Sequence, residues 1–178
     1  KVGMGAKEIL DGIKIKEVTI ENFLTKRYDG PVYTQLDVLE YNKRKDGKVL
    51  GHEDFYKNPK DYVSDFERFT KVADIFMAGH FYGNDAPIIL SQEMLKAPNC
   101  NIKVVADISC DVDGPIACTI KASTIEDPLF GYLPAENKEV PYTHPGAIVV
   151  MSVDNLPCEL PKDASEGFGE MFMQHVIP

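Results

Sequence analysis

Four short apolar runs rich in β-branched residues constrain the fold of this chain. They are residues 15–20, 73–78, 102–108 (Ile-Lys-Val-Val-Ala-Asp-Ile) and 147–153 (Ala-Ile-Val-Val-Met-Ser-Val). Near-continuous apolar runs of this length suit strands covered on both faces, hence a parallel sheet. Helical segments fall between them. Residues 6–11 form one that stops at Gly12. Residues 91–95 form another, opened by Ser91 as an N-cap and closed by Ala97-Pro98. Strand alternating with helix is the α/β pattern.

Two regions break the alternation. Residues 28–70 are polar and rich in Asp, Lys and Tyr, with a charged turn at 42–48 and a helix start at 58–62 running on to about Phe69. This region reads as an insertion on the core, a solvated surface excursion. Residues 116–145 carry Pro128, Pro134, Pro141 and Pro145, and alternate in character over 119–124. They read as a small antiparallel addition with loops. Beyond them, Pro161 suits a first helical turn, and Phe168, Met171, Phe172 and His175 recur at helical spacing. That stripe is a packing face for a neighbouring domain or subunit. The expected organisation is a main domain over 1–157, with its insertion at about 28–70, and a C-terminal helix over 158–178.

Lys1-Val2-Gly3-Met4-Gly5-Ala6 reads as the back half of a glycine-rich dinucleotide loop. Such a loop needs a strand, a glycine for the tight turn, one where backbone meets pyrophosphate, and one where helix packs on strand. The strand and first glycine are expected ahead of Lys1. The full expectation is thus an α/β, Rossmann-type parallel sheet with helices on both faces, lacking its first strand, with a polar insertion and a C-terminal helix. In an open parallel sheet, ligands bind beyond the carboxyl ends of the strands. Gly79-His80-Phe81-Tyr82-Gly83 follows the second run, Asp107, Ser109 and Asp111 close the third, and Asp154-Asn155-Leu156-Pro157 closes the fourth. An acidic residue after a strand can simply cap a turn. Three such ends arriving together favour a site.

No Gly-x-Ser-x-Gly elbow, Walker loop or His-Glu-x-x-His helix occurs. Proton handling would fall to His80 and the strand-end carboxylates. A net charge of −9 argues against a nucleic-acid partner and against anionic lipid. No apolar run is long enough to span a bilayer, and no signal-peptide pattern opens the chain, so a cytoplasmic protein is expected. Cys100, Cys110, Cys118 and Cys158 show no metal spacing and read as reduced, mostly buried thiols. The histidines are scattered, and no metal site is expected.

Residues 104–111 (Val-Val-Ala-Asp-Ile-Ser-Cys-Asp), 124–128 (Thr-Ile-Glu-Asp-Pro) and above all 151–165 (Met-Ser-Val-Asp-Asn-Leu-Pro-Cys-Glu-Leu-Pro-Lys-Asp-Ala-Ser) resemble the saccharopine dehydrogenase family. Within it they are most similar to the lysine–2-oxoglutarate reductase half of bifunctional aminoadipic semialdehyde synthase. The opening glycine segment and residues 61–66 (Asp-Tyr-Val-Ser-Asp-Phe) are similar to that family too, so the likeness spans nearly the whole chain. The Asp-Asn-Leu-Pro core is also similar to a loop of alanine dehydrogenase and transhydrogenase. The resemblance implies NAD or NADP as cofactor, and interconversion of saccharopine with lysine and 2-oxoglutarate, an amino acid and a keto acid. Carried over by position, Val2, Gly3 and Gly5 lie against the pyrophosphate, and Gly79 and His80 line the nucleotide crevice. Asp107 sits beside nicotinamide and substrate as the candidate catalytic group. Met151, Asp154, Asn155 and Leu156 flank the nicotinamide ring.

In that family the proton-transferring lysine and histidine lie in a preceding substrate domain, and no residue here replaces them. The chain is therefore expected to be the cofactor half, without its N-terminal substrate domain. The position aligned with a ribose-binding carboxylate is Thr19, with Glu17 and Glu21 nearby, while Lys26 and Arg27 could meet a 2′-phosphate. NAD and NADP both stay open. So do an alanine dehydrogenase-like enzyme and a non-catalytic nucleotide-binding or regulatory module. A free apolar edge on the sheet would also invite a homodimer.

Overall fold

The computed structural model describes residues 2–80, 83 and 85–177. Its centre is a five-stranded sheet of β5 (Ile75–Ala78), β6 (Val104–Asp107), β9 (Ile148–Met151), β7 (Leu129–Leu133) and β8 (Lys138–Val140), in that spatial order. β5, β6 and β9 are parallel, in a register that aligns Phe76 with Val105 and Val105 with Val150. These are the second, third and fourth apolar runs. β7 joins β9 antiparallel, and β8 closes the hairpin. The fold is α/β as expected, but the sheet is mixed rather than all-parallel. The proline-rich 116–145 region supplies the expected small antiparallel addition, β7 and β8, on the edge of the main sheet beside β9, while the alternating residues 119–124 form no strand.

The core lies on one face of this sheet. Ala78, Val105, Ile148 and Val150 are buried there with Phe66, Phe69, Leu90, Leu95, Ile116, Phe130 and Tyr132. The register puts Ile75, Val104 and Val149 on the opposite face, and Met77, Ala106 and Met151 beside them. Ile75 and Met77 are exposed, and the other four are half-buried. Residues 91–95 behave as expected. α5 (Gln92–Lys96) starts at Ser91, whose Oγ accepts the Met94 N–H at 3.3 Å.

The amino-terminal part forms a second, smaller parallel pair. α1 (Val2–Gly12) leads into β1 (Lys16–Glu17), which pairs with β2 (Val32–Tyr33). α1 is longer than the expected 6–11 and takes both Gly3 and Gly5 into its first turns. It ends through Lys14, which adopts the left-handed φ of 63° just after Gly12. The first apolar run becomes only a two-residue strand because Thr19 caps the next helix, α2 (Ile20–Thr25), accepting the Asn22 N–H at 3.3 Å. A polar network ties α1 to the pair. Lys7 donates to Glu17 and to Tyr33 Oη, and Tyr33 donates to Asp11. Among the described residues β1 and β5 share no ladder, and each has one strand neighbour.

The 28–70 region is not merely a solvated excursion. It supplies β2, then β3 (Asn42–Arg44) paired antiparallel with β4 (Tyr62–Ser64). The helix expected from 58 to about 69 is therefore cut by a strand. Pro59–Asp61 is a 3-10 turn, β4 follows, and only α4 (Glu67–Thr70) is helical. Arg44 fixes this layout by pairing with Asp46, Asp54 and Asp61. Phe66 and Phe69 then enter the main core, Phe66 meeting Phe76 with ring centroids 4.6 Å apart. Between β3 and β4 lies α3 (His52–Lys57), whose Phe55 packs edge-on to Tyr62.

α6 (Pro161–His175) carries Pro161 in its first turn, as expected, and follows a 3-10 turn over Leu156–Glu159. Phe168 and Phe172 stack with centroids 5.8 Å apart, and none of the helix is buried. Among the described residues no helix is long and apolar enough to cross a membrane.

Gly131 in β7 has no room for a side chain. A Cβ there would sit 2.7 Å from the Pro141 carbonyl oxygen and 2.9 Å from that of Val140. Overpacking of this kind costs about 1–3 kcal/mol. Gly131→Ala should lower the melting temperature by roughly 3–10 °C. Gly30→Ala, where nothing lies within 4 Å of the added Cβ, should leave it nearly unchanged in the same calorimetric scan.

Candidate functional site

The carboxyl end of β5 meets the amino-terminal turn of α1 at Gly79. A Cβ on Gly79 would stand 3.0 Å from Val2 Cγ1 and 3.1 Å from the Gly3 nitrogen. An added Cβ would force these neighbours to give by a few tenths of an ångström, so Gly79 allows the helix to sit close at the tip of the sheet. Val2 and Gly3 are thus brought to the strand ends, as expected. Gly5 faces open space, with nothing within 4 Å of its would-be Cβ. The close helix–strand contact is made by Gly79 against the Gly3 backbone, not by Gly5.

Beside it, the loop after β6 winds around Asp107, which is fully buried. One carboxylate oxygen accepts the N–H groups of Ser109 and Cys110, each at 3.1 Å. The other accepts the Thr119 hydroxyl at 2.7 Å. A buried carboxylate is tolerated only when so satisfied. Asp107 thus anchors the turn and faces inward. The turn is tight. Cys110 and Asp113 have φ of 48° and 55°, and a Cβ on Gly114 would lie 2.6 Å from Asp111 Cβ.

Ser109 links this loop to the end of β5. Its hydroxyl donates to the His80 carbonyl at 2.9 Å and lies 3.4 Å from His80 Nδ1. Burial pulls the His80 imidazole below its ordinary pKa of 6.5, against the opposing pull of Asp107 and Asp111. Partial burial, then the fields of Asp107, Asp111 and Asp154, push the Cys110 thiol up. Asp154 therefore reaches the same neighbourhood from the end of β9. Its own segment turns on Ser152, buried, whose N–H donates to Ser123 Oγ at 3.1 Å and whose hydroxyl donates to the Lys121 carbonyl at 2.7 Å. Asp154 and Asn155 are exposed, Leu156 and Met151 half-buried. The three strand ends do converge. Phe81 and Tyr82, also singled out in the sequence, lie outside the described residues.

A second concavity opens by β1 and β2. Glu17, Gln35, Leu36, Asp37 and Glu40 line a cleft of about 320 Å³. Thr19, the position expected to align with a ribose-binding carboxylate, is spent as a helix cap, and Glu17 takes the cleft wall instead. Asp37 and Glu40 escaped sequence reading because they sit in the region read as insertion. The short Val32-Tyr33 pair before them was the available signal. Of the cysteines, only Cys118 is buried, its thiol raised to about 12 by that burial; Cys158 is exposed and the other two are half-buried.

No family model matches the chain. Curated relatives do, and they are oxidoreductases of lysine metabolism by name. Alpha-aminoadipic semialdehyde synthase of Arabidopsis thaliana is 26% identical over 166 residues, covering 89% of this chain and 15% of that protein. The mitochondrial synthase of Rattus norvegicus is 26% identical over 201 residues, covering 98% and 21%. Saccharopine dehydrogenase [NAD(+), L-lysine-forming] of Schizosaccharomyces pombe is 32% identical over 114 residues, covering 61% and 29%. The chain is thus similar to the saccharopine dehydrogenase family over nearly all its length, and it spans less than a third of each of these relatives.

Thr119→Val keeps the shape but removes the donor to a buried carboxylate. It should cost about 1–3 kcal/mol in chemical denaturation. His80 gives a pH signature. Its folded pKa lies below the ordinary 6.5, so the unfolded chain takes up the proton first as pH falls. The stability of neutral His80 is present above about pH 6.5 and declines below it. Melting temperature should fall on acidification through that window, and His80→Gln should flatten the slope.

Proposed function

We propose that this chain is the nucleotide-binding part of a saccharopine dehydrogenase-like oxidoreductase that works with NAD. The observation that carries the reading is the contact of Gly79 with the Gly3 backbone, which sets the first turn of an eleven-residue helix at the carboxyl end of a parallel strand. The free N–H groups and positive dipole end of such a turn suit a pyrophosphate. A bare glycine surface fits the close approach that a dinucleotide needs. Val2, Gly3 and Gly79 would hold the pyrophosphate. His80, Met151, Asp154, Asn155 and Leu156 would border the nicotinamide, and the Asp107 knot would hold the Ser109–Asp111 loop in shape around it. The cofactor, when bound, supplies hydride chemistry. The chain's own part is to bind, orient and exclude water.

The cleft beside β1 supports NAD over NADP. Asp37 and Glu40 line it beside Glu17, whose charge is paired with Lys7, and no Lys or Arg is among its lining residues. A 2′-phosphate would meet like charge there, whereas a ribose hydroxyl would find acceptors. The whole protein's reaction is the interconversion of saccharopine with lysine and 2-oxoglutarate, with residues 1–157 as cofactor domain and the exposed Phe168–Phe172 stripe of 158–178 docked on a neighbouring domain or subunit. Asp107, facing inward, acts as a positioning residue rather than a proton donor.

In fluorescence titrations of the intact protein, NADH should bind at least tenfold more tightly than NADPH. Asp37→Asn with Glu40→Gln should narrow that gap. NADH oxidation should require lysine with 2-oxoglutarate, and pyruvate with ammonia should not replace them. These 178 residues alone should bind NADH with negligible turnover. If neither dinucleotide binds the folded intact protein, the proposal is removed.

A further inference from the structure

Residues 37–40 form a turn that supplies Asp37 and Glu40 to the cleft beside β1, and side chains from residues 42–70 grip this turn from outside. We propose that two of them, Arg68 and His52, are positioning residues that hold Asp37 and Glu40 in place for the ribose of an adenine nucleotide. This rests on the nucleotide reading and adds to it the residues that shape the adenosine end of the site.

The turn is closed on itself. The Glu40 N–H donates to the Asp37 carbonyl at 2.9 Å, and the Asp37 N–H donates to Glu40 Oε2 at 2.5 Å. Asp37 Oδ1 also accepts the Leu39 N–H at 3.2 Å. On either side of it, Leu36 and Tyr41 pack against the core. The turn therefore moves as a unit, and its carboxylates are placed by whatever holds it. Among the described residues, three side chains do so by hydrogen bonds. Asn42, which is buried, donates from Nδ2 to the Val38 carbonyl at 3.0 Å. Arg68 donates from Nη2 to the Glu40 carbonyl at 2.7 Å. His52 Nε2 lies 2.6 Å from Asp37 Oδ1.

Arg68 is a stiff support. Its Nε pairs with Asp65 at 3.0 Å, and its guanidinium lies 4.7 Å from the ring centroid of Phe69, a buried core residue. Asp65 is itself fixed, its N–H donating to the Tyr41 carbonyl at 2.8 Å and its carboxylate pairing with Lys43. A planar fork pinned at one nitrogen and stacked on a ring keeps its remaining donors in one direction. His52 opens α3, whose Phe55 is buried against Tyr62. The Arg68 and His52 side chains are 44% and 54% exposed, so their ion pairs contribute little to stability. Their effect is on direction. With Oδ1 engaged by His52 and by the Leu39 N–H, Asp37 leaves Oδ2 to a ligand hydroxyl. A carboxylate already fixed in its plane accepts a ribose hydroxyl without first losing rotamer freedom.

Titrations of the intact protein test this, with NADH followed by fluorescence and with ADP and reduced nicotinamide mononucleotide as competitors. ADP carries the adenosine end, and the mononucleotide lacks it. Arg68→Met and His52→Leu should each weaken NADH and ADP about tenfold, as expected for one lost hydrogen bond to a charged group, and leave the mononucleotide within about twofold. Arg68→Lys and His52→Gln, which keep a donor, should recover most of the affinity. Equal weakening of ADP and the mononucleotide marks a general loss of structure and overturns the proposal. So does ADP affinity that is unchanged in both loss variants. Should Arg68→Met fail to fold, the exposed His52→Leu decides alone. Variants that bind NADH like the wild type sink this proposal and leave the nucleotide reading standing. A wild-type protein that binds no dinucleotide removes the nucleotide reading, and this proposal with it.

Discussion

One missing methyl group organises this molecule. At Gly79 the chain leaves β5, and there the backbone of Gly3 comes so close that an added Cβ would sit 3.1 Å from its nitrogen and push α1 outward by a few tenths of an ångström. Core packing fixes β5 from below through Phe76 and Ala78. The glycine contact passes that position on to α1, and the Lys7–Glu17–Tyr33–Asp11 network passes it from α1 to the smaller parallel pair. Lys7 is half-buried but its partners Asp11 and Glu17 are exposed, so these ion pairs contribute little to stability by themselves. What they do is choose among orientations of α1, whose packing alone is weak because none of its residues is buried. The pair formed by β1 and β2 is also held to the main sheet by Ile20, Phe23 and Leu24 of α2 and by Leu36, which pack against the core.

A second constraint lies one strand over. Asp107 ends β6 inside the protein, and a carboxylate there must find donors or be expelled. It finds three, and two are backbone N–H groups of the loop that follows. The loop therefore cannot open without exposing an unpaired charge in a dry interior. Cys110 and Asp113 accept left-handed backbone, and Gly114 is pressed against Asp111, to keep that arrangement. The gain is a rigid rim at the point where His80 and Asp154 arrive from the neighbouring strands. Binding surfaces that must hold a large flexible ligand benefit from rigid rims, since less ordering entropy is lost on association.

The sequence made the larger strands legible and the smaller ones not. The runs over 73–78, 102–108 and 147–153 became β5, β6 and β9 because each had enough β-branched residues to dominate its local preference. Ser91 announced α5 by its side chain alone. The strand β4 stayed hidden because it is three residues long and follows a proline that locally favours a helix start. Its partner β3 and the Arg44 pairs, far away in sequence, decide its state. Likewise the run over 15–20 could not show that Thr19 would serve as a cap. At the site, the convergence of three strand ends could be read from periodicity. Which way the Asp107 carboxylate points could not, because that depends on Thr119, twelve residues on, folding back to meet it. Asp37 and Glu40 were invisible for a similar reason, since they count only once β2 is known to be a strand.

The two outer edges of the main sheet differ in a way that local packing does not explain. β8 ends one side with Lys138 and Glu139 exposed and Pro141 directly after it. Charge and proline on an edge discourage further pairing. β5 ends the other side with an isoleucine and a methionine in the open, and with no proline or charge in the strand itself. A sheet that protects one edge and leaves the other apolar is polarised toward growth at the second. The same side carries Gly79 and the first turn of α1, so this apolar edge adjoins the rim of the candidate nucleotide site.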